Sequence, residues 1–170
     1  MGNVFVFLRF TLDTTPDAAW DALQSPAVFR KASAPLIRVR SLEKGGFPER
    51  WSEGTPHDVS LSLLGIFPIG HQRILVSFTE RPGGVRMIVD KGSGLSGFLR
   101  VMPKWDHRMA VSATDDGRTL YRDRLAVRAG LLTPFVWISM WAFWQVRGSR
   151  LKKLARSWRE PHTSQVPHTD

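Results

Sequence analysis

The chain has no cysteine in its 170 residues. Disulfides, thiolate metal sites and cysteine nucleophiles are thereby excluded, and the composition suits a reducing compartment. Tyrosine is nearly absent too, with Tyr121 as the single phenol. No apolar run is long enough to cross a bilayer: Leu131 to Val146 is interrupted by Thr133, Pro134, Ser139 and Gln145, short of the ~20 apolar residues a span requires. The five histidines (57, 71, 107, 162 and 168) show no metal-ligand spacing. Gly94-Leu95-Ser96-Gly97-Phe98 lacks the fifth-position glycine of a serine-hydrolase elbow. The start Met1-Gly2-Asn3-Val4 has no signal-peptide pattern, and Val6 stands where myristoylation wants Ser or Thr. A cytoplasmic protein with no metal and no cofactor is expected.

Positive charge is abundant. Against 15 acidic residues stand 24 basic ones, 18 of them arginine, for a net charge of +9. Such a balance opens nucleic-acid and anionic-membrane readings. Only residues 147–159 are dense enough in charge to form a patch, however, so a solvated basic surface is the simpler account and no nucleic-acid partner is expected. With 42% hydrophobic residues, the chain can bury a full core as one domain, residues 1–159, before a polar tail, 160–170, expected to be disordered.

Residues 131–158 predict one long helix. Thr133 can cap it and Pro134 suits its first position. Trp137, Trp141, Trp144, Gly148, Leu151, Ala155 and Trp158 recur at spacings of three and four, which keeps them on one face. The first half is apolar nearly all round and should be deeply buried. Arg147, Arg150, Lys152, Lys153, Arg156 and Arg159 should clothe the solvent side of the second half, favourably placed for the helix dipole.

Upstream, Asn3–Thr11 reads as a strand, and Thr15-Pro16 and Ser25-Pro26 each open a short helix. Alternation then predicts about six antiparallel strands: 37–43, around 59–63, 72–80, 85–91, 104–114 and 119–129. An Asp115-Asp116-Gly117 turn sets the register of the last pair, with Val111 opposite Tyr121, Met109 opposite Asp123, His107 opposite Leu125 and Trp105 opposite Val127. His107 and Asp123 are then diagonal on the inward face.

This order of elements resembles the helix-grip fold of the SRPBCC superfamily, which includes START-like lipid-binding, birch-pollen-allergen-type and polyketide cyclase-like proteins. Thr15-Pro16-Asp17-Ala18-Ala19-Trp20 is similar to the family's entry to its first helix. Trp105-Asp106-His107-Arg108 and Leu120-Tyr121-Arg122-Asp123-Arg124-Leu125 resemble its paired ligand-binding strands. The resemblance implies an α+β fold, a sheet of about six to seven strands curled around the C-terminal helix, with an apolar cavity between them. It also implies a small hydrophobic ligand held there by a carrier or sensor, with cyclase or dehydratase chemistry as the alternative.

The inward alternation together with that resemblance nominates Trp105, His107, Met109, Tyr121, Asp123, Leu125, Trp137, Trp141 and Trp144 as lining. Three indoles on the helix could instead fill the cavity outright. His107 with Asp123 is the candidate acid/base pair, and equally a satisfied structural pair. Gly92-Ser93-Gly94-Leu95-Ser96-Gly97 matches G-x-G-x-x-G but opens no helix after a parallel strand. A mobile gate over residues 92–102 is expected in place of a dinucleotide site. Transient contact with anionic membrane through the basic helix end is a further expectation, and the oligomeric state stays open.

Overall fold

The computed structural model describes residues 4–102 and 105–158, so the polar tail lies outside the described residues. The elements run β1 (Val4–Leu12), α1 (Pro16–Leu23), α2 (Pro26–Ser33), β2 (Ile37–Ser41), β3 (Pro56–Leu63), β4 (Phe67–Arg81), β5 (Val85–Asp90), β6 (Ser93–Gly94), β7 (Asp106–Ala113), β8 (Thr119–Val127) and α3 (Thr133–Ala155). Both short helices start as their sequences dictate. The Thr15 and Ser25 hydroxyls accept from the amides of Ala18 and Ala27, and each is followed by proline at the first helical position.

The strands form one antiparallel sheet in the order β1-β8-β7-β5-β4-β3-β2, with β6 added beside β4. β4 is the long member: its first part pairs with β3 and its last six residues with β5. A register shift at Leu61/Ser62 and the left-handed Gly70 mark the irregular stretch of that pairing. The β7–β8 hairpin has the register its turn predicts, with Val111 opposite Tyr121 and His107 opposite Leu125, and Gly117 supplies the positive φ of 78°.

α3 packs on β1 and β8 on one side and on α2 on the other. Its close approach to β1 occurs at Gly148, where an added Cβ would lie 3.1 Å from both Leu8 and Phe10 side-chain carbons. Leu151 and Ala155 follow on the same buried face.

Three expectations about this helix are corrected. Thr133 does not cap it: its hydroxyl accepts from the Ala129 amide and donates to the Gly130 carbonyl, closing the preceding 3-10 turn Gly130–Leu132. The N-terminal half is not deeply buried, because the sheet covers only one side of it; Phe135 is 71% exposed and Ile138 57%. Arg147 is not on the solvent side but buried, lying about 60° around the helix from Trp144 at about 100° per residue. Among the described residues no helix is long and apolar enough to cross a membrane.

Gly148→Ala is expected to change stability by less than about 1 kcal/mol, since helix propensity gained offsets contacts that flexible side-chain ends can yield. Gly148→Leu should cost about 1–3 kcal/mol by prising α3 off β1. Urea denaturation of both variants checks the pair.

Candidate functional site

The inner face of the sheet, α2, α3 and the segment after β6 enclose a cavity of about 430 Å3. That lies within the ~300–1,000 Å3 typical of small-molecule sites. Its walls are mainly aliphatic and aromatic: Val28 and Phe29 from α2, Ile74 and Val76 from β4, Ile88 from β5, and Met140, Phe143, Trp144 and Leu151 from α3. Leu63, Phe67 and Phe98 line it too, yet remain 38%, 60% and 49% exposed. They mark the mouth.

The strap that follows β5, residues 91–102, forms one side of this mouth. Its glycines serve close packing. A Cβ on Gly92 would lie 1.7 Å from the Arg73 carbonyl oxygen, and one on Gly94 1.8 Å from that of Leu99. Gly97 opens a 3-10 turn, Gly97–Val101, that seats Leu99 and Phe98 on the cavity. The G-x-G-x-x-G spelling thus records backbone pressed on backbone, with no helix following it that could receive a phosphate.

Of the predicted lining, Trp105, His107, Met109 and Trp144 do form wall. Five others do not. Tyr121 and Asp123 are buried behind the wall, where the Tyr121 hydroxyl donates to Asp123 Oδ2 at 2.7 Å. Leu125 packs with Val6, Val127 and Val136. Trp137 turns to β1 and donates its indole N–H to the Phe5 carbonyl, while Trp141 is 47% exposed. The buried stripe of α3 winds from Val136 through Met140 and Phe143 to Trp144, which leaves Trp141 to one side. The indoles of α3 therefore do not plug the cavity.

Sequence reasoning missed Trp51, Asp90 and Arg147, all of which line it. Asp90 ends β5, and the alternation of its strand could have placed it inward. Trp51 sits in a stretch with no readable period. Arg147 was concealed by the basic run it begins.

Polar groups converge at one end. Asp123 is fully buried and accepts three hydrogen bonds, from His107 Nε2 at 2.8 Å, Trp144 Nε1 at 3.0 Å and Tyr121. Burial alone would raise its pKa, but the charge and hydrogen bond of His107, the Arg147 charge and the Trp144 N–H outweigh it and hold the carboxyl at about 2. Because a carboxylate only accepts, Nε2 of His107 is the donor to Asp123, and Nδ1 is the ring nitrogen left over for a ligand. Burial pushes the Asp90 carboxyl up, against the amides of Leu75 and Gly92 that donate to its Oδ1 and against the His107 and Arg147 charges. Burial and the neighbouring Asp123 raise Tyr121 well above the usual phenol, so it stays a donor. The set can hold a ligand's polar group or move a proton at His107. Among the described residues no cluster suits a metal ion.

No family model matches the chain, and no curated protein matches it in sequence. Solved structures do match in fold. A hypothetical protein from Helicobacter pylori has a TM-score of 0.65 at 14% identity, over 90% of this chain and 88% of that one. Norcoclaurine synthase from Thalictrum flavum, in complex with dopamine and hydroxybenzaldehyde, has a TM-score of 0.62 at 7% identity, over 94% and 90%. The protein Ara h 8.0201 has a TM-score of 0.59 at 12% identity, over 92% and 99%. The architecture is the helix-grip fold, with an eight-stranded sheet where about six to seven strands were expected.

Asp123→Asn should lower stability at pH 7 by roughly 3 kcal/mol, by removing the buried carboxylate on which three donors converge. The sign with pH follows from the depressed carboxyl. Its contribution is complete above the unfolded value of about 3.9 and is lost as pH falls towards about 2. Urea denaturation at pH 7 and pH 3 should therefore show a smaller gap between wild type and variant at the lower pH.

Proposed function

We propose that the chain binds a small hydrophobic molecule, a lipid, polyketide or aromatic metabolite, in the cavity between sheet and α3, as a carrier or sensor. The observation that carries this reading is the unfilled apolar space itself. Protein interiors are close-packed and leave few voids larger than water, so about 430 Å3 walled by Phe, Ile, Leu and Trp is not explained by packing. The exposed Phe67 and Phe98 at the mouth give an apolar solute a path of entry. Fold likeness to norcoclaurine synthase, which was solved with two aromatic small molecules, supports the same use of the space. Loading from an anionic membrane surface, with Lys152, Lys153 and Arg156 exposed at the end of α3, belongs to this reading.

A catalytic use of the cavity, as a cyclase or dehydratase, is favoured by one observation: His107 lines the wall with Nε2 held by Asp123 and Nδ1 left over. There His107 would act as acid/base and Asp123 would orient it.

Native mass spectrometry of gently purified protein should show a discrete added mass that is released on denaturation and recoverable by extraction. Leu61→Trp, which pushes an indole into the cavity from β3, should reduce the occupied fraction at least about tenfold. Occupancy unchanged in that variant would remove the cavity from the account. A recovered molecule that the protein converts, with turnover lost in His107→Ala, would establish the catalytic use; return of the molecule unaltered favours the carrier.

A further inference from the structure

Arg147 is 3% exposed and forms part of the cavity wall. A guanidinium keeps its charge in any protein environment, and burying it without a partner costs several kcal/mol. Its partners here are weak. Nη2 donates to the thioether sulfur of Met109 at 3.1 Å, and the group lies over the Trp144 ring at 5.8 Å. Nε is buried and has no hydrogen-bond partner. Among the described residues Arg147 makes no ion pair, although Asp123 and Asp90 are near enough to feel its charge.

Neither carboxyl group pairs with it among the described residues. Asp123 is committed to His107, Trp144 and Tyr121, and Asp90 Oδ1 holds two backbone amides. The cavity thus presents a cation with donors unspent at the polar end of a mainly apolar space. An acceptor brought in by the ligand is what that arrangement lacks.

Resting on the reading of the cavity as a ligand site, we propose that Arg147 anchors the carboxylate of an acidic amphiphile whose apolar body lies towards Phe67 and Phe98. A planar monoanion matches the guanidinium fork. A phosphate would bring up to two negative charges beside Asp123, which makes it the poorer fit.

The test compares decanoate with 1-decanol by isothermal titration calorimetry at pH 7.5, on wild type, Arg147→Met and Arg147→Gln. Wild type should bind decanoate at one-to-one stoichiometry and at least roughly tenfold more tightly than the alcohol. Either variant should bring the acid down to the level of the alcohol while leaving the alcohol within about threefold. Two substitutions of different polarity guard against one failing to fold, and the wild-type comparison needs neither. Decanol bound as tightly as decanoate would overturn the carboxylate anchor while leaving the cavity reading intact. A preference that survives in a folded variant would overturn Arg147 as its source. Binding of neither molecule would overturn the ligand-cavity reading itself.

Discussion

A single buried carboxylate ties the last hairpin to the helix it faces. Asp123, on β8, takes hydrogen bonds from His107 on β7, from Tyr121 on its own strand and from Trp144 on α3. A charge removed from water is tolerable only when its lone pairs are filled, and here three donors from three elements fill them. The indole bond fixes how far along its axis α3 sits against the sheet. Gly148, one turn later, lets the same helix lie close on Leu8 and Phe10. Between the hydrogen bond and the close contact, the position of α3 is set at two points.

That placement creates the cavity. With Trp144 drawn to Asp123 and the C-terminal half of α3 seated on β1, the side chains of Met140, Phe143, Arg147 and Leu151 face a space that the inward residues of β4 and β5 do not fill. The strap after β6 closes one side by laying glycine backbone directly on β4 and on itself. The exposed Phe67 and Phe98 place the mouth between the β3–β4 turn and the strap. The polar end, with His107 and Arg147 in the wall, lies on the β7 and α3 side.

Much of this was legible in the residues. Thr15-Pro16 and Ser25-Pro26 announce their helices, and the Asp-Asp-Gly turn with its flanking alternation fixes the hairpin that brings His107 to Asp123. The cavity wall was only half legible, for identifiable reasons. Alternation tells which residues point inward but not which of them are covered by others; Tyr121 and Leu125 point inward and end in packed core. The helix period marks a straight stripe, whereas the sheet twists beneath α3 and draws the stripe round towards Val136, which strands Trp141 outside. Arg147 obeyed the period and was hidden by its composition, since a basic residue opening a basic run reads as solvent-facing. The close packing of the strap was not legible because glycine serves both freedom and close approach, and only the neighbouring backbone reveals the second.

The distribution of the seven tryptophans has an optical consequence. Trp51, Trp105 and Trp144 stand in the cavity wall, whereas Trp137 and Trp141 lie outside it. Trp144 also meets the His107 ring edge-on, with centroids 5.2 Å apart and an interplanar angle of 80°. Indole emission depends on the polarity around the ring. The molecule therefore contains its own unlabelled reporter: the colour of its fluorescence follows the polarity of the space that these indoles face.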